Sequence, residues 1–262
     1  MRVIVLLPPS EGKATPRRGA PLDLRSLSFP DLTPARERVL DALVALCRDE
    51  PARAAEVLGL GPTQAEAVTR NATLREAPTT RADRLYTGVL YDALDLATLD
   101  VAARRRAARW LLVTSGLFGF VRPGDRVPAY RLSGDVTLPG LGGVARHWSQ
   151  HLGAAVEEAA GRGLVVDLRS SSYAAFWRPD REWAPRVATV RVLHEHQGTR
   201  KVVSHFNKAT KGRLVRSLLE EGATPSSPAR LAEVLRDLGW TVEVPETDDR
   251  RPTQLDVVVS EV

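Results

Sequence analysis

The chain has 262 residues, 43% hydrophobic and 26% charged, a balance that fits a globular protein with length for a sizeable core. No apolar run approaches the ~20 residues of a membrane span. The single cysteine, Cys47, excludes an internal disulfide framework and fits a reducing cytoplasm. The net charge of +5 favours anionic partners.

The positive charge comes from 33 arginines and four lysines: Lys13, Lys201, Lys208 and Lys211. Lysine is a compact charge whose pKa can be tuned for proton transfer, which arginine cannot match. Scarce lysines therefore draw attention, although Lys201 is read as chance.

Residues 2–7 read as a buried strand, and the apolar run before Pro8-Pro9 is too short for a signal peptide. The stretch that follows, LLPPSEGKAT (6–15), ends in Gly-Lys but is no P-loop. The required first glycine is Leu7, the hydroxyl position holds Ala14, and Pro8 and Pro9 lack N–H donors. What remains is a stiff turn presenting Ser10, Glu11 and Lys13 at the carboxyl end of a strand, where open α/β sheets bind ligands.

Residues 16–30 form a polar loop. A helix over 34–48 has Thr33 as N-cap and Pro34 at its first position. Cys47 lies on its apolar face and reads as a buried thiol. Two short helices over 52–58 and 62–70 flank Leu58-Gly59-Leu60-Gly61. This resembles a helix-hairpin-helix in which glycines let a phosphate approach the start of the second helix. Gly59, Leu60, Gly61 and Thr63 are then candidate backbone contacts to nucleic acid, which carry no sequence readout. A plain turn with a glycine C-cap is the alternative.

After an irregular linker (71–82) and a basic helix (102–109), WLLVTSGLFGF (110–120) begins as a buried strand and ends in a glycine-rich turn. Arg122, Asp125, Arg126, Tyr130 and Arg131 follow near one strand end. Arginine forks suit phosphate or carboxylate, and Asp125 can orient an arginine or act in proton transfer. Internal Arg–Asp pairs in a solvated loop are the bland alternative. Residues 122–143 read as loop with a short strand, and 144–160 as a helix. His147 and His151 stand four apart there, but Trp148 replaces the glutamate of a zincin, so no metal site is assigned.

GLVVDL (163–168) is a second buried strand, ending in Ser170, Ser171, Ser172 and Tyr173 as helix caps or ligand hydroxyls. A hairpin over 187–196 and 201–206 turns across Gly198. Helices at 208–221 and 228–237 and two terminal strands complete the chain. Asn207 is the expected N-cap of the first of these helices. His205, Lys208 and Lys211 form a candidate anion site there, with His205 or Lys208 for proton transfer. Hairpins mixed with strand–helix alternation predict a mixed α/β protein, a central mixed β-sheet wrapped by helices.

PPSEGKA, LYTGVLYDAL (85–94), SGLFGFVRPGDRVPAYRL (115–132), HWSQHL (147–152), VVDLRSSSY (165–173) and SHFNKATKGRL (204–214) occur in the order seen in the YaaA family of peroxide-stress proteins, which the chain resembles from residue 3 to about 221. The resemblance implies a single α/β domain over 1–262 with a helix-hairpin-helix at about 52–70, in the cytoplasm. It also implies DNA binding and protection from hydrogen peroxide by limiting free iron and Fenton damage. It carries Lys13, Tyr86, Thr87, Ser115, Arg122, Asp125, Tyr130, Arg131, Lys208 and Lys211 over as site residues. The N-terminal motif is longer than the Pro-Ala-Lys form of many relatives, and the tail beyond Pro225 has no clear counterpart.

Two function classes follow. In the first, a nucleic-acid-binding stress protein holds phosphates through the glycine turn and basic patches. In the second, an enzyme acts on a nucleobase, nucleoside or nucleotide, by proton transfer or by glycosidic cleavage with Asp125 stabilising a cationic sugar. Its candidate catalytic groups are Lys13, Ser115, Arg122, Asp125, Tyr130, Arg131, His205, Lys208 and Lys211. Ser10, Tyr86, Thr87, Ser171 and Tyr173 are candidate ligand contacts. No cofactor or metal is expected, and no membrane partner.

Overall fold

A computed structural model describes residues 2–196, 199–202, 204–246, 248 and 250–260, leaving aside the side chains of Thr199, Ser204, His205 and Phe206. Its centre is a mixed eight-stranded sheet. Across it run, in spatial order, Thr241–Glu243, Thr253–Ser260, Val187–His196, Leu164–Asp167, Val3–Leu7, Leu111–Ser115 and Gly119–Val121, with Thr199–Lys201 paired to Val187–His196. The middle is parallel: Val5 aligns with Leu111 on one side and with Val166 on the other. Val3–Leu7, Leu111–Ser115 and Leu164–Asp167 are buried at every residue. Helices cover both faces of such a sheet, which is why these strands are continuously apolar.

The mixed α/β expectation holds. Thr253–Ser260, expected only as a terminal strand, lies inside the sheet, parallel to Val187–His196 and edged by Thr241–Glu243. The expected helix over 144–160 is two helices, Val144–Ser149 and Leu152–Ala160. The first closes with tightened bonds from Gln150 N–H to His147 O and His151 N–H to Trp148 O. The linker over 71–82 contains Thr80–Arg81, paired with Arg126–Val127.

The hairpin expected across Gly198 turns at residues outside those described, and its return strand is only Thr199–Lys201. The next helix, Ser204–Glu221, starts three residues before Asn207. Asn207 therefore sits within the first turn and does not cap it. This helix crosses Val89–Leu94 closely, because a Cβ on Gly212 would stand 2.3 Å from Leu90 O. Only glycine allows that approach.

The turn at Leu58–Gly61 is a helix C-cap. Gly59 has φ +61, Leu60 N–H bonds to Ala55 O, and Gly59 N–H bonds to Glu56 O. That pair of bonds is the Schellman arrangement. Gly61 N–H bonds to the Gln64 side chain. Pro62–Gln64 is a single 3-10 turn, and the α-helix behind it, Glu66–Ala72, has seven residues. The donors at Gly59, Leu60 and Gly61 that a hairpin would offer to phosphate are thus already engaged, so the helix-hairpin-helix expectation is not met on geometry.

Candidate functional site

Three parallel strands, Val3–Leu7, Leu111–Ser115 and Leu164–Asp167, end side by side, and the site gathers at their carboxyl ends. After the first, the chain runs through Pro8-Pro9 to Lys13, which forms an isolated bridge with Tyr86. Ala14 N–H to Leu85 O and Thr87 N–H to Gly12 O extend the pairing. Ser10 Oγ donates to Gly12 O and accepts from Thr87 N–H. Ser10 and Thr87 therefore shape the loop that carries Lys13.

Lys13 Nζ donates to Ser10 O at 2.7 Å and lies over two aromatic rings, 4.4 Å from the Tyr130 centroid and 5.5 Å from that of Tyr86. The Tyr86 and Tyr130 hydroxyls are 3.1 Å apart. Tyr130 Oη is 2.7 Å from Ser115 Oγ, which accepts from Phe118 N–H. Tyr91 stacks on Tyr86 and donates to Pro8 O. Tyr173 lies near Tyr91 and Tyr130. All four tyrosines of the chain thus gather around one lysine.

Burial sets the protonation of this group. Desolvation first, then the positive charge of Arg131, pushes the Lys13 ammonium down to about 7, against the pull of Glu11; Arg70 adds to the depression. Near neutral pH the amine is available as a base or nucleophile. Burial pushes the Tyr86, Tyr91 and Tyr130 phenols up, so they stay protonated and act as hydrogen-bond donors. Lys211, from the long helix, reaches the same sheet edge and donates to Leu168 O at 3.1 Å; burial lowers it too, opposed by Asp167.

The buried Asp167–Arg169 ion pair, 2.7 Å, folds the loop beyond the third strand, with Arg169 also donating to Tyr173 O and Trp177 O. Ser171 is exposed in the short helix Ser171–Ala174.

Arg122 and Asp125 belong elsewhere. Gly119–Val121 runs antiparallel to Leu111–Ser115, so it carries the chain back to the opposite end of the sheet. There Arg122 donates to Arg109 O at 2.6 Å and packs on Phe29. Asp125 accepts from Ser28 N–H, Ser28 Oγ–H and Arg122 N–H. The same Phe29 corner holds the fully buried Arg36, which donates to the carbonyls of Ser28, Phe29, Phe118 and Phe120. Arg122 and Asp125 are therefore tie points of a loop, and the single cavity expected to join Lys13, Arg122 and Lys208 does not form. Lys208 is exposed, and the His205 side chain lies outside those described. His147 Nε2 is 3.1 Å from Ala35 O, and its ring is 4.9 Å from that of His151.

Sequence reasoning missed Tyr91, Arg70 and the Asp167–Arg169 pair. Tyrosine is as scarce as lysine in this chain, and that scarcity was the available signal for Tyr91. Arg70 is one arginine among 33, and nothing local distinguishes it. A groove of about 330 Å³ flanks the site, lined by Thr15, Pro16, Arg70, Thr73, Glu76, Ala77, Pro78 and Ala129. A second, of about 410 Å³ beside Pro228–Asp237, holds none of this chemistry.

The model of the family described as Peroxide stress protein YaaA matches residues 3–244. A UPF0246 protein of Streptomyces coelicolor is 58% identical over 261 residues, covering 99% of this chain and 100% of the relative. One from Corynebacterium efficiens is 43% identical, covering 93% and 96%. An uncharacterized protein of Campylobacter jejuni is 27% identical over 80% of this chain and 82% of its own length. With a family match over nearly its whole length and relatives aligned end to end, the chain belongs to the YaaA peroxide-stress family.

Proposed function

We propose that this protein serves peroxide-stress defence in the cytoplasm through the Lys13 site, which binds or acts on a nucleobase, nucleoside or nucleotide. The observation that carries this reading is the lysine itself: an amine near neutrality, held over Tyr130 and beside a Tyr–Tyr–Ser hydroxyl chain. A protein that only grips nucleic acid through surface charge has no use for a desolvated lysine among phenols. Stacking rings suit a planar base, and a neutral amine suits proton transfer to or from it.

Calorimetric titration of the purified chain with a panel of nucleobases, nucleosides and nucleotides tests this. Binding by the wild type and its loss in Lys13→Met support the reading; no binding across the panel refutes it.

DNA contact and the limiting of free iron form a second reading. The helix Val101–Trp110 favours DNA contact, because it exposes Arg104, Arg105 and Arg109, with Arg105 and Arg109 one turn apart. Such a face fits a phosphate backbone without sequence preference. Among the described residues no group of three or more His, Cys, Asp or Glu could hold a metal ion. Filter binding to duplex DNA over a salt series tests the contact, and a flat salt dependence would end it.

A further inference from the structure

The geometry points to an oxyanion subsite at the mouth of the Lys13 site, formed by the forks of Arg70 and Arg131, with the Glu11 carboxylate as its stand-in anion. This deepens the small-ligand reading above and rests on it: the ligand would carry a phosphate or carboxylate on the part that reaches the groove.

One buried side chain couples the two arginines. Asn71, fully buried, donates to Arg131 O at 2.7 Å and accepts from Arg131 N–H at 3.0 Å. The backbone of Arg131 is thereby clamped to the residue that follows Arg70. Arg70 lines the 330 Å³ groove together with Thr15, two residues beyond Lys13, and Ala129, two residues before Arg131. Two chain segments thus run from the groove lining to the Lys13–Tyr130 pair.

Charge balance is the second argument. The positive charges of Arg131 and Arg70 both oppose a charge on Lys13. Their nearby countercharge is Glu11, whose Oε2 lies 3.3 Å from both terminal nitrogens of Arg131. Glu11 is 84% exposed, whereas the Arg131 side chain is 22% exposed. An exposed carboxylate on a flexible stem, at long distance from a largely buried fork, is weakly held. An incoming oxyanion with two oxygens fits that fork better and swings Glu11 into water. The Arg70 guanidinium has no hydrogen bond or ion pair among the described residues, and it can close on the same anion. Glu76, also on the groove wall, is exposed and opposes an anion at its own end. This locates the subsite at the Arg131 end.

Inorganic phosphate, acetate, guanosine and guanosine monophosphate are titrated into the full chain by calorimetry, in wild type, Arg70→Ala, Arg70→Lys and Glu11→Gln. The expected result is that the monophosphate binds roughly tenfold or more tightly than guanosine. Arg70→Ala removes that advantage, Arg70→Lys restores part of it, and Glu11→Gln strengthens phosphate binding by removing the competing carboxylate. Acetate binding in place of phosphate assigns the oxyanion as carboxylate. Equal affinity for guanosine and its monophosphate, unchanged in Arg70→Ala, overturns the subsite while leaving the Lys13 pocket in place. Phosphate or acetate binding without either guanosine ligand keeps the subsite and removes the nucleoside reading. Binding of none of the four overturns both. Thermal unfolding of each variant confirms that it is folded.

Discussion

Lys13 Nζ lies 4.4 Å from the centre of the Tyr130 ring, and the Tyr130 hydroxyl lies 2.7 Å from Ser115 Oγ. The loop leaving Val3–Leu7 and the stretch after Arg126–Val127 thus bring an amine and a phenol together beside the end of Leu111–Ser115.

The first prediction concerns pH. Lys13 has a folded pKa of about 7 and an ordinary value of 10.5. Between those values the unfolded chain holds a proton that the native chain lacks, so this group makes stability rise with pH across that window. Lys13→Met removes the contribution. Urea unfolding from pH 6 to 10 should therefore give a steeper rise for the wild type than for the variant, and parallel curves would contradict it.

Tyr130→Phe deletes the hydroxyl between Tyr86 and Ser115. A cost of about 1–2 kcal/mol is expected, since buried hydroxyl partners lose a bond. Ser115→Ala leaves Phe118 N–H without its acceptor and should cost a similar amount. The two effects should not add, because both residues share one network. Denaturant unfolding of the single and double variants measures the coupling.

Asp125→Ala is expected to act on folding. It strips the acceptor from Ser28 N–H, Ser28 Oγ–H and Arg122 N–H in a largely buried corner. A loss of roughly 2–4 kcal/mol follows. Ligand affinity per folded molecule should stay at the wild-type value; its selective loss with stability intact would return Asp125 to the site.

Gly59→Ala forces a left-handed φ on a side chain and should cost about 1 kcal/mol. Gly61 has φ −74 and open space around its Cβ, so Gly61→Ala should change stability by less than about 0.5 kcal/mol. Neither change should alter DNA retention on a filter; its loss in Gly61→Ala would reinstate the hairpin as a phosphate grip.

Much of the frame was legible because buried parallel strands are continuous apolar runs, as at Val3–Leu7, Leu111–Ser115 and Leu164–Asp167. Lys13 was legible for a chemical reason, its scarcity at a strand end. The separation of Arg122 and Asp125 from Lys13 was not, because it depends on the direction of Gly119–Val121, and a three-residue strand has no periodicity to reveal a reversal. The tie between the Arg70–Asn71 segment and Arg131 was hidden for another reason. It runs through Asn71, which bonds a backbone 60 positions away.

The most direct measurement is a carbon-13 NMR titration of the lysine side chains in the full-length chain. With only four lysines, each can be assigned by single substitution. The account predicts that the Lys13 resonance titrates near 7. A Lys13 resonance that titrates near 10.5 would contradict it, since the amine would then be charged and solvated at neutral pH.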